Sequence, residues 1–92
     1  MAEKYIHIDR NSTIKILSDL EYLVTSLDYI GSMETSESNR AEIIARFVIE
    51  ASLVQRLASV RKLISVAVDR DVAPEEKEKL DLELERVERW TP

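Results

Sequence analysis

The sequence predicts an all-α protein: a helical hairpin with a long central helix, plus a charged C-terminal helix. The 92 residues include one Gly and two Pro, too few for the many tight turns of a β-sandwich or barrel. Apolar residues recur at three- and four-residue steps over long stretches, as in amphipathic helices. The apolar content of 45% excludes a disordered tract, and the length suits one helical domain over residues 1–92.

The first helix is predicted over about residues 13–30, after an extended arm at 1–12. Residues 4–8 alternate weakly, which leaves a short strand and an arm both open. Residues 9–12 offer N-cap side chains, and Gly31 follows as an expected left-handed C-terminal residue. Seven apolar residues share one face of this helix: Ile16, Leu17, Leu20, Leu23, Val24, Leu27 and Ile30.

The second helix is predicted over about residues 40–70, because no Pro or Gly interrupts that stretch. A polar connector precedes it at 32–38, and Asn39 with Glu42 forms a capping-box pattern. Its apolar stripe changes side partway along. The first half has Ile43, Ile44, Phe47, Val48, Ala51 and Val54 on one side; the second has Leu57, Val60, Leu63, Ile64, Ala67 and Val68 almost opposite.

Two structures account for this shift. A kink near Gln55 would turn both halves toward one core, whereas a straight helix would bury its halves against different neighbours. Kinks usually have a Pro, a Gly or a bulge behind them, and the sequence shows no such residue here. The straight helix is therefore the favoured prediction.

The third helix is predicted over about residues 74–90. Pro74 suits the first helical position, and Glu75 and Glu76 follow where the helix dipole favours anions. Its apolar stripe is narrow and consists of Leu80, Leu84, Val87 and Trp90.

These patterns predict a homodimer, because one short chain has too few apolar residues to cover both sides of a long straight helix. We expect one group of residues to be buried by a second subunit or by the third helix, and not by the first: Leu57, Val60, Ile64 and Val68. Tyr22 and Tyr29 lie seven residues apart on the polar side of the first helix. They are either ordinary exposed tyrosines or, with Trp90, part of a contact surface, since Tyr is enriched at interfaces.

The sequence predicts no catalytic residues, no cofactor and no metal site. It has one histidine (His7) and no cysteine, so thiol chemistry and thiolate metal sites are excluded. A serine nucleophile would lack a second histidine as its base, and the single Gly leaves no phosphate-binding loop.

The leading functional interpretation is a non-enzymatic interaction or regulatory protein that acts through protein–protein contacts. The charge is −4 over residues 1–39, +3 over 40–70 and −4 over 71–92, a pattern that can complement itself in a dimer. One alternative is a nucleic-acid-associated regulator that uses the basic middle segment, although a net charge of −5 disfavours it.

A second alternative is a small helical enzyme with Arg46, Glu50 or Arg61 in a pocket between helices. The sequence predicts no signal peptide and no membrane-spanning helix, so the expected location is the cytoplasm.

Overall fold

The computed structural model describes residues 5–92, which form four helices and no β-strand, within 56 × 32 × 18 Å. This confirms the all-α class. The helices are α1 (Arg10–Gly31), α2 (Glu37–Glu50), α3 (Leu53–Asp71) and α4 (Pro74–Glu85). The central helix of the prediction is thus two helices, and the elongated shape leaves much of their surface uncovered.

α1 begins three residues earlier than predicted, because Asp9 caps it. The Asp9 carboxylate accepts a hydrogen bond of 2.8 Å from the Ser12 backbone N–H. This lowers the pKa of Asp9. The strand suggested for residues 4–8 is absent at 5–8, and residue 4 lies outside the described range.

The C-terminus of α1 differs from the prediction at Gly31, which is helical and not left-handed. The Ser32 hydroxyl donates to the Asp28 carbonyl at 2.8 Å, and the Ser32 N–H donates to the same carbonyl at 3.0 Å. A serine therefore satisfies a terminal carbonyl without the left-handed turn that a glycine would allow.

α2 also begins three residues earlier than the capping box predicted. Its N-cap is Ser36, whose hydroxyl accepts from the Asn39 N–H at 3.1 Å. Arg40 then reaches back across the connector and donates to the Met33 carbonyl at 2.7 Å. The Arg40 side chain thus ties the start of α2 to the connector that follows α1.

The prediction of one straight helix over about 40–70 was wrong. The helix ends at Glu50 and a new one begins at Leu53, three to four residues before the position of the alternative kink. Ser52 between them is left-handed, with φ 53° and ψ 49°, a conformation that costs a non-glycine residue roughly 1–2 kcal/mol. The Arg56 side chain stabilises the turn by donating to the Ala51 carbonyl at 2.9 Å.

The break turns α3 back to lie antiparallel to α1. Arg56 at the start of α3 contacts Asp19 in the middle of α1, and Arg70 at the end of α3 donates to the His7 carbonyl before α1 begins. The His7 N–H donates to Asp71 at 2.6 Å. Arg70 pairs with Asp71 at 2.8 Å and, as the larger influence, lowers the pKa of that carboxyl.

The core is small and lies mainly between α1 and α3, with Ile30 on the side toward α2. Its buried apolar side chains are Ile16, Leu23, Ile30, Val60 and Ala67. α1 thus packs on the second half of the predicted central helix, which a straight helix would not have allowed. The turn at Ser52 gives α1 access to both halves. The four residues expected to face a partner or the third helix, Leu57, Val60, Ile64 and Val68, line the groove between α3 and α4.

α4 lies outside this core and has no buried residue. Pro74 occupies its first turn as predicted, but the helix ends at Glu85 and not near 90. An ion pair of 2.6 Å between Lys77 and Asp69 joins it to α3 and raises the pKa of Lys77. Weak anchoring leaves α4 as an arm beside α3.

Candidate functional site

A buried carboxylate joins α1 to α3. Asp19 is 3% exposed and accepts from Lys15 Nζ at 2.8 Å and from Arg56 Nη1 at 3.0 Å. These bonds, that of Lys15 first, lower the pKa of Asp19. With both oxygens bound by cations, Asp19 is a structural anchor and not a free acid or base.

The aromatic groove lies between α1 and α2 and has a volume of about 620 Å³. The Tyr22 and Phe47 rings are tilted, with their centroids 6.2 Å apart. Arg56 stacks on Tyr22, with its guanidinium carbon 4.2 Å from the ring centroid. The remaining lining is mostly apolar or uncharged: Thr25, Ser26, Tyr29, Ile30, Met33, Ile43 and Ala51, with the exposed pair Arg46 and Glu50 at the rim.

A second groove, between α3 and α4, has a volume of about 590 Å³. The four α3 residues predicted to meet a partner or the third helix all line it: Leu57, Val60, Ile64 and Val68. Leu80 and Leu84 of α4 form the opposite wall, and Ile6 contributes from the N-terminal segment. Because α4 stands away from α3, Leu57 and Ile64 remain substantially exposed.

Exposed apolar residues of α1 lie on the same side of the protein as those of α3. We call the two sets together the apolar face. On α1 it consists of Leu17, Leu20, Val24 and Leu27; on α3 it consists of Leu57, Ile64 and Val68, and all but Val68 are exposed. With 100° of rotation per residue, these residues are turned about 70–90° around each helix axis from the buried residues of that helix. Viewed from the N-terminus of each helix, the rotation has the same direction on both. Since the two helices are antiparallel, the two stripes face the same side. Arg56 lies at Asp19 and Arg70 at His7, so the stripes adjoin near Leu17 and Leu57 and run from there in opposite directions.

The structure separates the candidate residues that the sequence had grouped as interface. Tyr22 and Tyr29 line the aromatic groove, about 180° round α1 from the apolar face. Trp90 lies beyond α4 and is 84% exposed. The sequence analysis missed the α1 part of the apolar face, because it assigned all seven apolar residues of that helix to one buried face. A stripe of seven residues is wider than one neighbouring helix covers, and this width could have indicated that part of it stays exposed.

The three residues suggested for a helical enzyme fall into two different grooves. Arg46 and Glu50 line the aromatic groove, whereas Arg61 lines the α3–α4 groove. Across residues 5–92 no three His, Cys, Asp or Glu side chains are grouped so as to hold a metal ion. Of the six arginines and lysines in the basic middle segment at 40–70, Arg46, Arg56 and Arg70 contact acidic side chains in ion pairs.

The fold and grooves together define a four-helix, all-α chain with an aromatic groove on one side and an apolar face on the other. Within the described part of the chain, no helix is long and apolar enough to cross a membrane. No family model matches the sequence, and no curated protein or solved structure is significantly similar to it.

Proposed function

We propose that this chain is a non-enzymatic interaction protein that works as a homodimer, with the apolar face as its self-association surface. The observation that carries the proposal is the exposed apolar stripe on α1, which meets the apolar stripe of α3 end to end on the same side of the protein. Exposed apolar patches of this extent mark interaction sites in folded proteins. Val24, at the centre of the α1 stripe, is 63% exposed although it lies within a regular helix.

The apolar face is large enough to support association with a second copy. Fully burying one Leu, Ile or Val side chain contributes about 1.5–3 kcal/mol. Covering seven partly exposed side chains in each of two copies therefore contributes on the order of 10–20 kcal/mol, against an association cost of about 4–15 kcal/mol. A two-fold interface presents the same patch from both copies, so the apolar face supplies both sides of the contact.

The charge pattern supports self-association as well. Arg61 borders the α3–α4 groove and Lys62 follows it, and neither forms an ion pair with any residue of 5–92. Most glutamates of α4 likewise have no ion pair within that range. Bringing the basic α3 of one copy toward the acidic α4 of the other would match these charges.

Sedimentation equilibrium at micromolar concentration tests the proposal. We expect a species of twice 10.6 kDa for the unchanged chain, and a monomer for Val24→Glu, which places a charge in the middle of the face. Circular dichroism should show unchanged helicity, because Val24 is exposed within one copy.

Ile49→Glu is the matched control. Ile49 is 78% exposed on α2, outside the apolar face and both grooves, so this variant should stay dimeric. A monomeric unchanged chain at 100 µM would overturn the homodimer. A Val24→Glu protein as dimeric as the control would show that another surface makes the contact.

A further inference from the structure

We propose that α4 is a lid that closes onto α3 and, when closed, covers the α3 part of the apolar face. Its effect on association rests on the proposed function, since the covered residues are those that a second copy would contact. α4 forms the outer wall of the α3–α4 groove of about 590 Å³ through Leu80 and Leu84. Leu84 is nevertheless 59% exposed, and α4 has no buried residue. The helix therefore holds apolar side chains beside those of α3 without packing on them.

The connector between the two helices fits a hinge. Only Val72 and Ala73, both with extended backbone, separate α3 from Pro74 at the start of α4. Because Pro74 has no N–H and its ring clashes inside a continuous helix, the two helices stay separate. Near this connector Lys77 pairs with Asp69 at 2.6 Å, which is the one ion pair between α3 and α4 among the described residues. The far end of α4 has no such pair, so a rotation about the connector moves that end most.

Two charges across the groove supply a contact for the closed position. Arg61 of α3 and Asp81 of α4 both line the groove, and neither forms an ion pair with any residue of 5–92. Lys77 lies one turn before Asp81 but pairs with Asp69. Closure would bring the Arg61 guanidinium and the Asp81 carboxylate together while it buries the leucines of α4.

A closed lid and a second copy compete for the same side chains. Leu57, Ile64 and Val68 belong to the apolar face and also line the groove. When Leu80 and Leu84 of the same chain cover them, a copy has to open before the α3 part of its face can associate. The apparent affinity between copies then falls with the fraction of chains that are open.

Disulfide trapping tests the closure, because the chain has no cysteine of its own. Ser65 and Asp81 line the groove, and each lies one turn from the Asp69–Lys77 pair, away from the connector. We expect Ser65→Cys with Asp81→Cys to form a disulfide within one chain in glutathione buffer. Ser65→Cys with Lys79→Cys is the matched control, since Lys79 is turned about 200° around α4 from Asp81 and does not line the groove. The effective concentration of the first pair of thiols should exceed that of the control at least about tenfold.

The same trapped variant tests the competition. By sedimentation equilibrium, its oxidised form should associate at least about tenfold more weakly than its reduced form, which has the same sequence and charge. A disulfide between chains, equal trapping in the control, or equal association of the two forms would each overturn the lid. A within-chain disulfide in a chain that is monomeric when reduced would overturn the homodimer alone, so the two proposals fail separately.

Asp81→Asn tests the ion pair with Arg61. Losing this pair should favour the open lid and strengthen association about two- to fivefold, the size of a partly exposed ion pair. Glu78→Gln is the control, because it removes a carboxylate of α4 that does not line the groove, and it should not strengthen association. Equal affinities of the two variants would overturn the role of this pair in closure.

Discussion

Arg56 Nη1 lies 3.0 Å from Asp19 Oδ1, and this contact joins the start of α3 to the middle of α1. The same guanidinium donates to the Ala51 carbonyl at the end of α2 and stacks on Tyr22. One side chain therefore bonds the turn between α2 and α3, joins α3 to α1 and contacts Tyr22 of the aromatic groove.

Removing the charge of Asp19 should make the protein less stable and less sensitive to acid. Its pKa is lowered by hydrogen bonds from Lys15 and Arg56, so the carboxylate stabilises the fold above the unfolded value of about 3.9 and loses this effect as pH falls below it. We expect Asp19→Asn to have a lower urea midpoint at pH 7 and a smaller further loss between pH 5 and pH 3.

Glu88→Gln is the control for this experiment, because Glu88 is exposed beyond α4. Its urea midpoint should follow that of the unchanged chain across the pH range. The lowered pKa values of Asp9 and Asp71 leave both variants with some acid sensitivity. An Asp19→Asn protein with the same pH profile as the unchanged chain would contradict the anchor role.

Relieving the left-handed residue should stabilise the fold. Ser52→Gly removes the steric cost of φ 53°, and we expect the free energy of unfolding to rise by about 0.5–1 kcal/mol after the entropy cost of glycine. Ser52→Val should lower it by about 1–2 kcal/mol, since a branched side chain fits this conformation worst. Urea denaturation measures both.

The same Ser-to-Gly change within a regular helix provides the comparison. Ser18 is exposed in the middle of α1, so Ser18→Gly should lower the free energy of unfolding by about 0.5–1 kcal/mol. Opposite signs at the two serines are the expected result. Equal destabilisation would mean that Ser52 is not left-handed in solution.

Truncating a core leucine should be costly in so small a core. Leu23 is buried on α1, and we expect Leu23→Ala to lower the free energy of unfolding by about 2–5 kcal/mol. Leu82→Ala should cost less than about 0.5 kcal/mol, because Leu82 is exposed on α4 and lines neither groove. Thermal unfolding followed by circular dichroism distinguishes the two, and similar losses would contradict the assignment of Leu23 to the core.

Removing the hydrogen bond between Arg40 and Met33 should lower the free energy of unfolding by less than truncating a core leucine does. Arg40 donates to the Met33 carbonyl at 2.7 Å, and a hydrogen bond from a charged group contributes about 1.5–3 kcal/mol. We expect Arg40→Met to lose about 1–2 kcal/mol in urea denaturation. Arg46→Met, which changes an exposed arginine of the same helix, should lose less than about 0.5 kcal/mol, so equal losses would show that the link is unimportant.

The sequence by itself determined the helical class, the polar connector after α1 and the position of Pro74 at the start of α4. These depend on local chemistry: apolar spacing, capping side chains and the missing proline N–H. It also contained the shift of the apolar residues to the opposite side near Val54, which lies just after the break between α2 and α3. The apolar spacing thus indicated a change in helix direction, although no Pro or Gly in this stretch predicts a break.

Only the tertiary structure decided that the change is a break and where it lies. The left-handed turn at Ser52 is accompanied by bonds from Arg56 to both Ala51 and Asp19, and those partners are 5 and 37 residues away along the chain. Packing likewise decided which half of the wide α1 stripe is buried, since Leu23 and Val24 are equally apolar in sequence. Local patterns set the helices, and long-range contacts set which faces remain open.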